Sequence, residues 1–214
     1  PGVKQVDLDG KPVEVVSTFC YLGDVTGERG DCYDAITARM RSAWKAFHEL
    51  LPLLTCKGIS IHSRGHMYSS CVRSILLYAC ETWPIIIEEQ VRLERTDHAM
   101  IRWICSVRLA DRLPLTDLRH RLNLDSISDV LRWSRLRWFG HLHRMDDDAW
   151  PKKVTNINVN GAQPRDRPRK RWGDCIEADL KKLKLKKDLA LERGNWRAAI
   201  KPQCTRDMGR TVQP

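Results

Sequence analysis

No apolar run in the 214-residue sequence approaches the roughly 20 residues needed to span a bilayer. The apolar stretches at 50–54 and 75–79 are far too short. The first residues also lack the pattern of a secretory signal. These absences predict a soluble, intracellular protein, nuclear or cytoplasmic, with no membrane partner. The chain lacks an initiating methionine and begins at Pro1, so it reads as a piece of a longer or processed protein. No Cys-x-x-Cys pair occurs among Cys20, Cys32, Cys56, Cys71, Cys80, Cys105, Cys175 and Cys204. Most of these sit in apolar helical patterns and read as buried, reduced thiols, which argues against a disulfide framework. No His-Glu-x-x-His motif occurs either. His62 and His66 are four residues apart, with Cys56 or Cys71 as a conceivable third ligand, but without knuckle spacing they predict no zinc site. His141 and His143 point to different sides of their helix. Nothing marks a nucleophile, so no cofactor and no catalytic residue is expected in this chain.

Excess charge is also missing from most of the sequence. Residues 1–130 hold 16 Lys+Arg against 17 Asp+Glu, whereas 131–214 hold 21 against 10. The whole net charge of +10 therefore comes from the last part of the chain. Such a one-sided field concentrates and steers polyanions.

In chain order, residues 3–8 alternate and lead into Asp9-Gly10, a hairpin signal, and 13–16 continue as a strand. Phe19-Cys20-Tyr21-Leu22-Gly23 reads as another short strand, and 27–30 as a loop. Asp31 or Asp34 is positioned to cap a helix to about residue 51, with Ile36, Met40, Ala43, Trp44, Phe47, Leu50 and Leu51 on its apolar face. Ser60 caps a second helix to about residue 80, and a third spans about 88–107, with Val91, Leu93, Met100, Trp103 and Ile104 among its apolar residues. A short helix follows Pro114, and Ser126 caps the next. After Trp150-Pro151 a polar linker is expected over 155–166. A basic amphipathic helix covers 172–185, a last one 188–200, and the end from Pro202 should fray. The fold class is thus mainly α, with a small N-terminal β-hairpin and a basic helical C-terminal region.

The helix over 127–145 carries the strongest functional signal. Ile127, Val130, Leu131, Ser134, Trp138, His141, Leu142 and Met145 form one stripe. The other side holds Arg132, Trp133, Leu136 and Phe139, with Arg137 and Arg144 at its edge; Arg135 lies in the same run. Arginine interleaved with aromatics suits nucleic acid, because guanidinium groups pair with phosphates and rings accept stacked bases. The alternative is a helix packed on both sides whose arginines reach out to water. Further on, Pro164-Arg165-Asp166-Arg167-Pro168-Arg169-Lys170-Arg171-Trp172 stays extended because of its prolines, so its cations can follow a phosphate backbone. Arg167-Pro168 is similar to the core of a minor-groove hook, but Asp166 replaces the glycine and would obstruct close approach.

Four stretches in this order and spacing resemble one family. They are Phe19-Cys20-Tyr21-Leu22-Gly23, Leu76-Leu77-Tyr78-Ala79-Cys80-Glu81-Thr82-Trp83, Arg135-Leu136-Arg137-Trp138-Phe139-Gly140-His141 with Arg144-Met145, and Arg167-Pro168-Arg169-Lys170-Arg171-Trp172 with Asp174. Over about residues 12–200 the chain resembles the C-terminal part of the reverse transcriptase polyprotein of non-LTR (LINE-type) retrotransposons. The resemblance implies a layout. Residues 1–25 would be a β-hairpin ending the palm, with Tyr21, Leu22 and Gly23 primer-grip-like. Residues 31–110 would be a helical thumb-like module, 111–150 its continuation with the Arg/Trp helix, 151–171 a basic linker, 172–201 basic C-terminal helices, and 202–214 a disordered end. It implies RNA or DNA and the remainder of the polymerase as partners. It also implies an accompanying endonuclease, and Mg2+ at catalytic aspartates upstream of the hairpin. Met145-Asp146-Asp147-Asp148 superficially resembles the acidic catalytic box, but it follows a helix far downstream and reads as a solvated helix exit. Contacts to nucleic acid are expected from Arg132, Trp133, Arg135, Arg137, Phe139, Arg144, Arg165, Arg167, Arg169, Lys170, Arg171 and Trp172. A stand-alone, domesticated nucleic-acid-binding or scaffold protein without polymerase activity is the alternative.

Overall fold

Two alternating stretches with tight turns start the chain, and each closes on itself. The computed structural model describes residues 5–27, 32–157 and 170–201. β1 (Gln5–Leu8) pairs antiparallel with β2 (Lys11–Glu14), placing Leu8 opposite Lys11. The turn residues Asp9 and Gly10 both have positive φ, 52° and 76°, as a two-residue hairpin requires. β3 (Thr18–Tyr21) pairs with β4 (Asp24–Gly27) around Leu22 and Gly23, again both at positive φ. The single expected hairpin is thus two, each a separate two-stranded sheet. Gly27, read as the start of a loop, is the last residue of β4, and 28–30 lie outside the described residues.

The rest is helical, so the fold is mainly α. Cys32 occupies the N-cap position of α1 (Tyr33–Leu54) without a side-chain cap, and Asp34 lies in its first turn. The helix runs through Pro52 beyond its expected end. Leu54 is fully buried there, and that burial offsets the hydrogen bond that proline cannot make. The expected second helix breaks into α2 (Ile61–Met67), a π-helical stretch (Tyr68–Arg73) and α3 (Ser74–Leu76). Ser60 caps it as expected, accepting from the Ser63 N–H at 3.1 Å. The wider π turn spaces hydrogen bonds five residues apart, and Tyr68 and Arg73 both reach Asp97 on α4 (Ile87–Ile104). After α3, Ala79 takes a left-handed φ of 60° and a 3₁₀ turn follows (Cys80–Thr82). This is where the expected helix fails to reach residue 80.

α1, α4 and the elements between them, with α5 (Leu115–Leu122), enclose a first core. Ile36, Phe47, Leu76, Leu93, Met100 and Ile104 are fully buried in it. Its polar centre is complete: Arg73 donates two hydrogen bonds of 2.8 Å to the Asp97 carboxylate and one of 2.7 Å to the Asp125 carbonyl. The Tyr68 hydroxyl donates to the same carboxylate at 2.9 Å. Burial, and then the Asp97 charge, push the Tyr68 hydroxyl well above its ordinary pKa. Gly65 allows α2 to press onto the end of α5, since a Cβ there would lie closer than 3.0 Å to the Leu122 carbonyl oxygen.

α6 (Ile127–His143) leaves this core and enters another. Ile127 and Leu131 belong to the first, Leu136 to a second, which also holds Ile176, Leu180, Trp196 and Ile200 from α8 (Trp172–Leu183) and α9 (Arg193–Ile200). The division between cores thus falls inside one helix. Trp150-Pro151 does not open the linker; it starts α7 (Trp150–Asn156), with Pro151 in the first turn, where its missing N–H costs nothing. Of the seven described cysteines, Cys32, Cys80 and Cys175 are buried, Cys105 is intermediate, and Cys20, Cys56 and Cys71 are exposed. Burial is therefore less general than the pattern suggested. The fraying end expected from Pro202 lies outside the described residues.

Candidate nucleic-acid interface

Ser126 begins α6, accepting from the Asp129 N–H at 3.1 Å. The helix is then buried on more than one side, and this decides the fate of its arginines. Arg135 is 5 % exposed and its Nε donates to Asp179 on α8 at 2.9 Å. Arg132 donates to Asp129 at 2.6 Å and stands 3.7 Å from Asp179. Both therefore serve internal ion pairs and present no free face to phosphate, because a desolvated guanidinium is too costly to leave unpaired. Phe139 stacks on His143 at 5.4 Å and leans on Trp196 at 5.9 Å, inside the second core. Arg144 donates to the Ala190 carbonyl at 2.6 Å.

The basic segment is equally bound where it is described. Lys170 Nζ donates to the Ile85 carbonyl at 2.9 Å, and Trp172 Nε1 to the Glu81 carbonyl at 2.7 Å. These bonds pin the start of α8 to the segment between α3 and α4. Arg171 is exposed, and its backbone N–H is held by Asp174 at 2.7 Å. Arg165, Arg167 and Arg169 lie outside the described residues. Tyr21, Leu22 and Gly23 do not line the clefts beside this region; they lie at the tip of the second hairpin. There Tyr21 is 64 % and Leu22 77 % exposed.

A different basic and aromatic site forms between α6 and α9. It is a cleft of about 540 Å³ lined by Trp133, Arg137, Trp138 and His141 from α6 and Arg144 at its C-cap, with Arg193 and Arg197 from α9. Arg137 lies over the Trp133 ring at 4.7 Å. Arg137, Arg193 and Arg197 are exposed, and none has an ion-pair partner among the described residues. Glu81 is the one acidic residue in the lining. The helices meet closely because Gly140 has no Cβ: one would fall closer than 3.0 Å to the Trp196 indole. The Trp196 N–H donates to the Leu136 carbonyl at 3.1 Å and fixes α9 to α6.

Of the expected contacts, the cleft gathers Trp133, Arg137 and Arg144. It adds Trp138 and His141, which the helical stripe assigned to a core, and Arg193 and Arg197, which lay unremarked in the last helix. The four-residue spacing of Arg193 and Arg197 puts them on one side of α9 and was the available signal. A second cleft, of about 610 Å³, lies between α6, α7 and α8 on the other side of Trp138. Its lysines Lys152 and Lys187 are already paired with Asp147 and Glu177.

The acidic run sits in water. Asp147 and Asp148 are 95 % and 99 % exposed and meet Lys152 and Lys153 at 2.8 and 2.9 Å. Among the described residues no group of three His, Cys, Asp or Glu is placed to hold a metal, and no helix is long and apolar enough to cross a membrane. No protein-family model, curated protein or solved structure matches this chain.

Proposed function

We propose that this chain binds nucleic acid through its C-terminal half, as the thumb and post-thumb part of a non-LTR retrotransposon RNA-directed DNA polymerase. The observation that carries the binding is the α6–α9 cleft. Arg137, Arg144, Arg193 and Arg197 converge there from two separate segments, opposed by Glu81 alone. The surplus of 21 basic over 10 acidic residues in 131–214 supplies the long-range attraction. Phosphates are the natural ligands of such a set, and they position a strand without reading its sequence.

In this reading the partners are RNA or DNA and the remainder of the polymerase, which the exposed Phe19, Tyr21 and Leu22 would meet. The chain holds nucleic acid; it does not join nucleotides. The Mg2+ chemistry of such a polymerase is assigned to no residue here, and Asp146, Asp147 and Asp148 stand in solvent rather than in a shaped site.

Salt-dependent binding tests the proposal. Affinity for a mixed-sequence oligonucleotide should fall with salt at a log–log slope of about −0.7 to −0.9 per phosphate contact. Replacing Arg165, Arg167, Arg169, Lys170 and Arg171 by alanine should flatten that slope by a few units, alike for every sequence. An unchanged slope removes that segment from the interface, and binding without salt dependence removes the proposal. On a primed RNA template with Mg2+ the chain should incorporate no nucleotide. Incorporation abolished by Asp147→Asn with Asp148→Asn would restore those residues as a catalytic pair.

A further inference from the structure

We infer that the α6–α9 cleft takes an unpaired nucleotide, its base against Trp138 and its flanking phosphates on Arg137, Arg193 and Arg197. This rests on the nucleic-acid reading above and deepens it to single strands. Size is the first argument. A cleft of about 540 Å³ is on the scale of one small ligand, which a nucleotide matches and a duplex segment exceeds. A duplex also keeps its base faces inside the stack, out of reach of an aromatic wall.

The aromatic lining is the second argument. Trp196 is 2 % exposed and committed to the Leu136 carbonyl, so its ring is not available. One face of Trp133 is covered by the Arg137 guanidinium. Trp138 remains, partly exposed, with the exposed His141 ring 5.4 Å away. Every base has a π face, so such a platform tolerates any sequence.

Charge is the third. Arg193 and Arg197 share one side of α9 and face Arg137 across the recess, so the cations converge on one place instead of following a groove. The neighbouring cleft also borders Trp138, but its lysines meet Asp147 and Glu177, Asp174 lines it too, and Arg171 is its one arginine, so it gathers less positive charge.

The full chain should be titrated at one fixed salt concentration against three labelled probes of equal length. These are oligothymidylate, a duplex, and an abasic single strand with the same phosphates. Oligothymidylate should bind at least about tenfold tighter than the duplex. The abasic strand should lose about 5- to 150-fold, the worth of one stacked base. Trp138→Ala should reproduce the abasic loss and Trp138→Phe should recover most of it. Arg193→Ala with Arg197→Ala should flatten the salt slope by about 1 to 2 units. The abasic comparison needs no substitution, so it decides even where Trp138→Ala does not fold. Equal affinity for strand and duplex, or for strand and abasic strand, overturns the unpaired-nucleotide site while nucleic-acid binding stands. An unchanged slope in the double-arginine variant overturns it as well. Absence of salt-dependent binding to all three probes overturns both.

Discussion

The two cores use the same pair of residues to different ends. In the first, Arg73 and Asp97 are 4 % and 0 % exposed, meet through two hydrogen bonds, and share Tyr68 and the Asp125 carbonyl. In the second, Arg135 and Asp179 meet through one hydrogen bond, Arg135 Nη1 is left without a partner, and a cavity of about 190 Å³ lies beside them. The first pair closes a core from inside. The second docks one helix on another at an edge that water can reach. The core is large where the sequence is electrically balanced and small where it is basic. A surface meant to attract polyanions must keep cations in water, and that limits how much core the same segment can build.

Removing the carboxylates should break this contrast most sharply. Asp97→Ala leaves the buried Arg73 guanidinium without its counter-charge and takes the carboxylate acceptor from the Tyr68 hydroxyl, and should cost about 3–5 kcal/mol. Set against a typical total of about 5–15 kcal/mol, that is a large part of the fold. Asp179→Ala should cost less, about 1–3 kcal/mol, because Arg132 keeps Asp129 and the adjoining cavity can hydrate Arg135. Denaturant unfolding gives the totals. Hydrogen exchange should show α8 and α9 opening in Asp179→Ala while α1 and α4 stay protected. Equal costs for the two variants would mean that the second pair is as closed as the first.

Alkali should weigh on the first core as well, since Cys80 and Tyr68 both lie in it. Burial raises the Cys80 thiol from 9.0 to about 11, against a smaller lowering by the Ser134 hydroxyl. The folded thiol therefore stays protonated where the unfolded one ionises. That stabilisation is complete below pH 9 and is lost as pH rises towards 11, by at most about 3 kcal/mol. Tyr68, also raised, continues the loss above pH 10. Stability should thus fall from pH 9 upward, and Cys80→Ala should lessen the first part of the fall, to which Cys105 and Cys175, also raised by burial, contribute too. A flat profile to pH 11 in the parent chain would refute it.

A milder break is steric. Gly140→Ala forces the Trp196 indole out of its place, at a cost of about 1–3 kcal/mol confined to the second core. Gly173→Ala on α8 meets nothing within 4 Å and should be neutral or stabilising by up to about 1 kcal/mol. If both variants melt alike, close packing of α6 and α9 is not what holds Trp196.

The legible parts of this molecule were those decided locally. Ser60 and Ser126 cap where expected because a cap needs only its own turn, and the Asp9-Gly10 turn sets its hairpin by its own dihedrals. What failed depended on distant partners. The π turn at 68–73 exists for Asp97, and α1 passes Pro52 because Leu54 finds a core. The site divided in the same way. Arginine among aromatics on α6 marked the right helix, but helical periodicity cannot tell which arginine meets Asp179 and which meets water. That choice is made by α8 and α9, more than 30 residues away in the sequence. Arg193 and Arg197 were missed for the same reason, since their significance comes from Arg137 across the cleft.

The smallest expected effect concerns the hairpins, which belong to neither core. β2 and β3 are exposed at every residue. Phe19 and Tyr21 stack on each other at 6.5 Å, with 58 % and 64 % of their surface in water. Replacing either by serine should change global stability by less than about 0.5 kcal/mol, as for surface positions generally. The two hairpins should nevertheless differ. The tip of β3–β4 is held by the body: the Tyr78 hydroxyl donates to the Leu22 carbonyl at 3.0 Å, Arg39 donates to the Gly23 carbonyl, and Arg39 lies over the Tyr78 ring at 4.2 Å. β4 also packs along α1. Among the described residues β1–β2 makes no such hydrogen bond and no comparable packing on a helix. An isolated two-stranded hairpin is marginal in water, so its amides should exchange fastest among the described strands and helices, and those of β3–β4 more slowly. Tyr78→Phe removes one tether and should bring β3–β4 towards the rate of β1–β2 while leaving α1 unchanged. Equal protection of both hairpins with the helices would mean that the strands are part of the folded body despite their exposure.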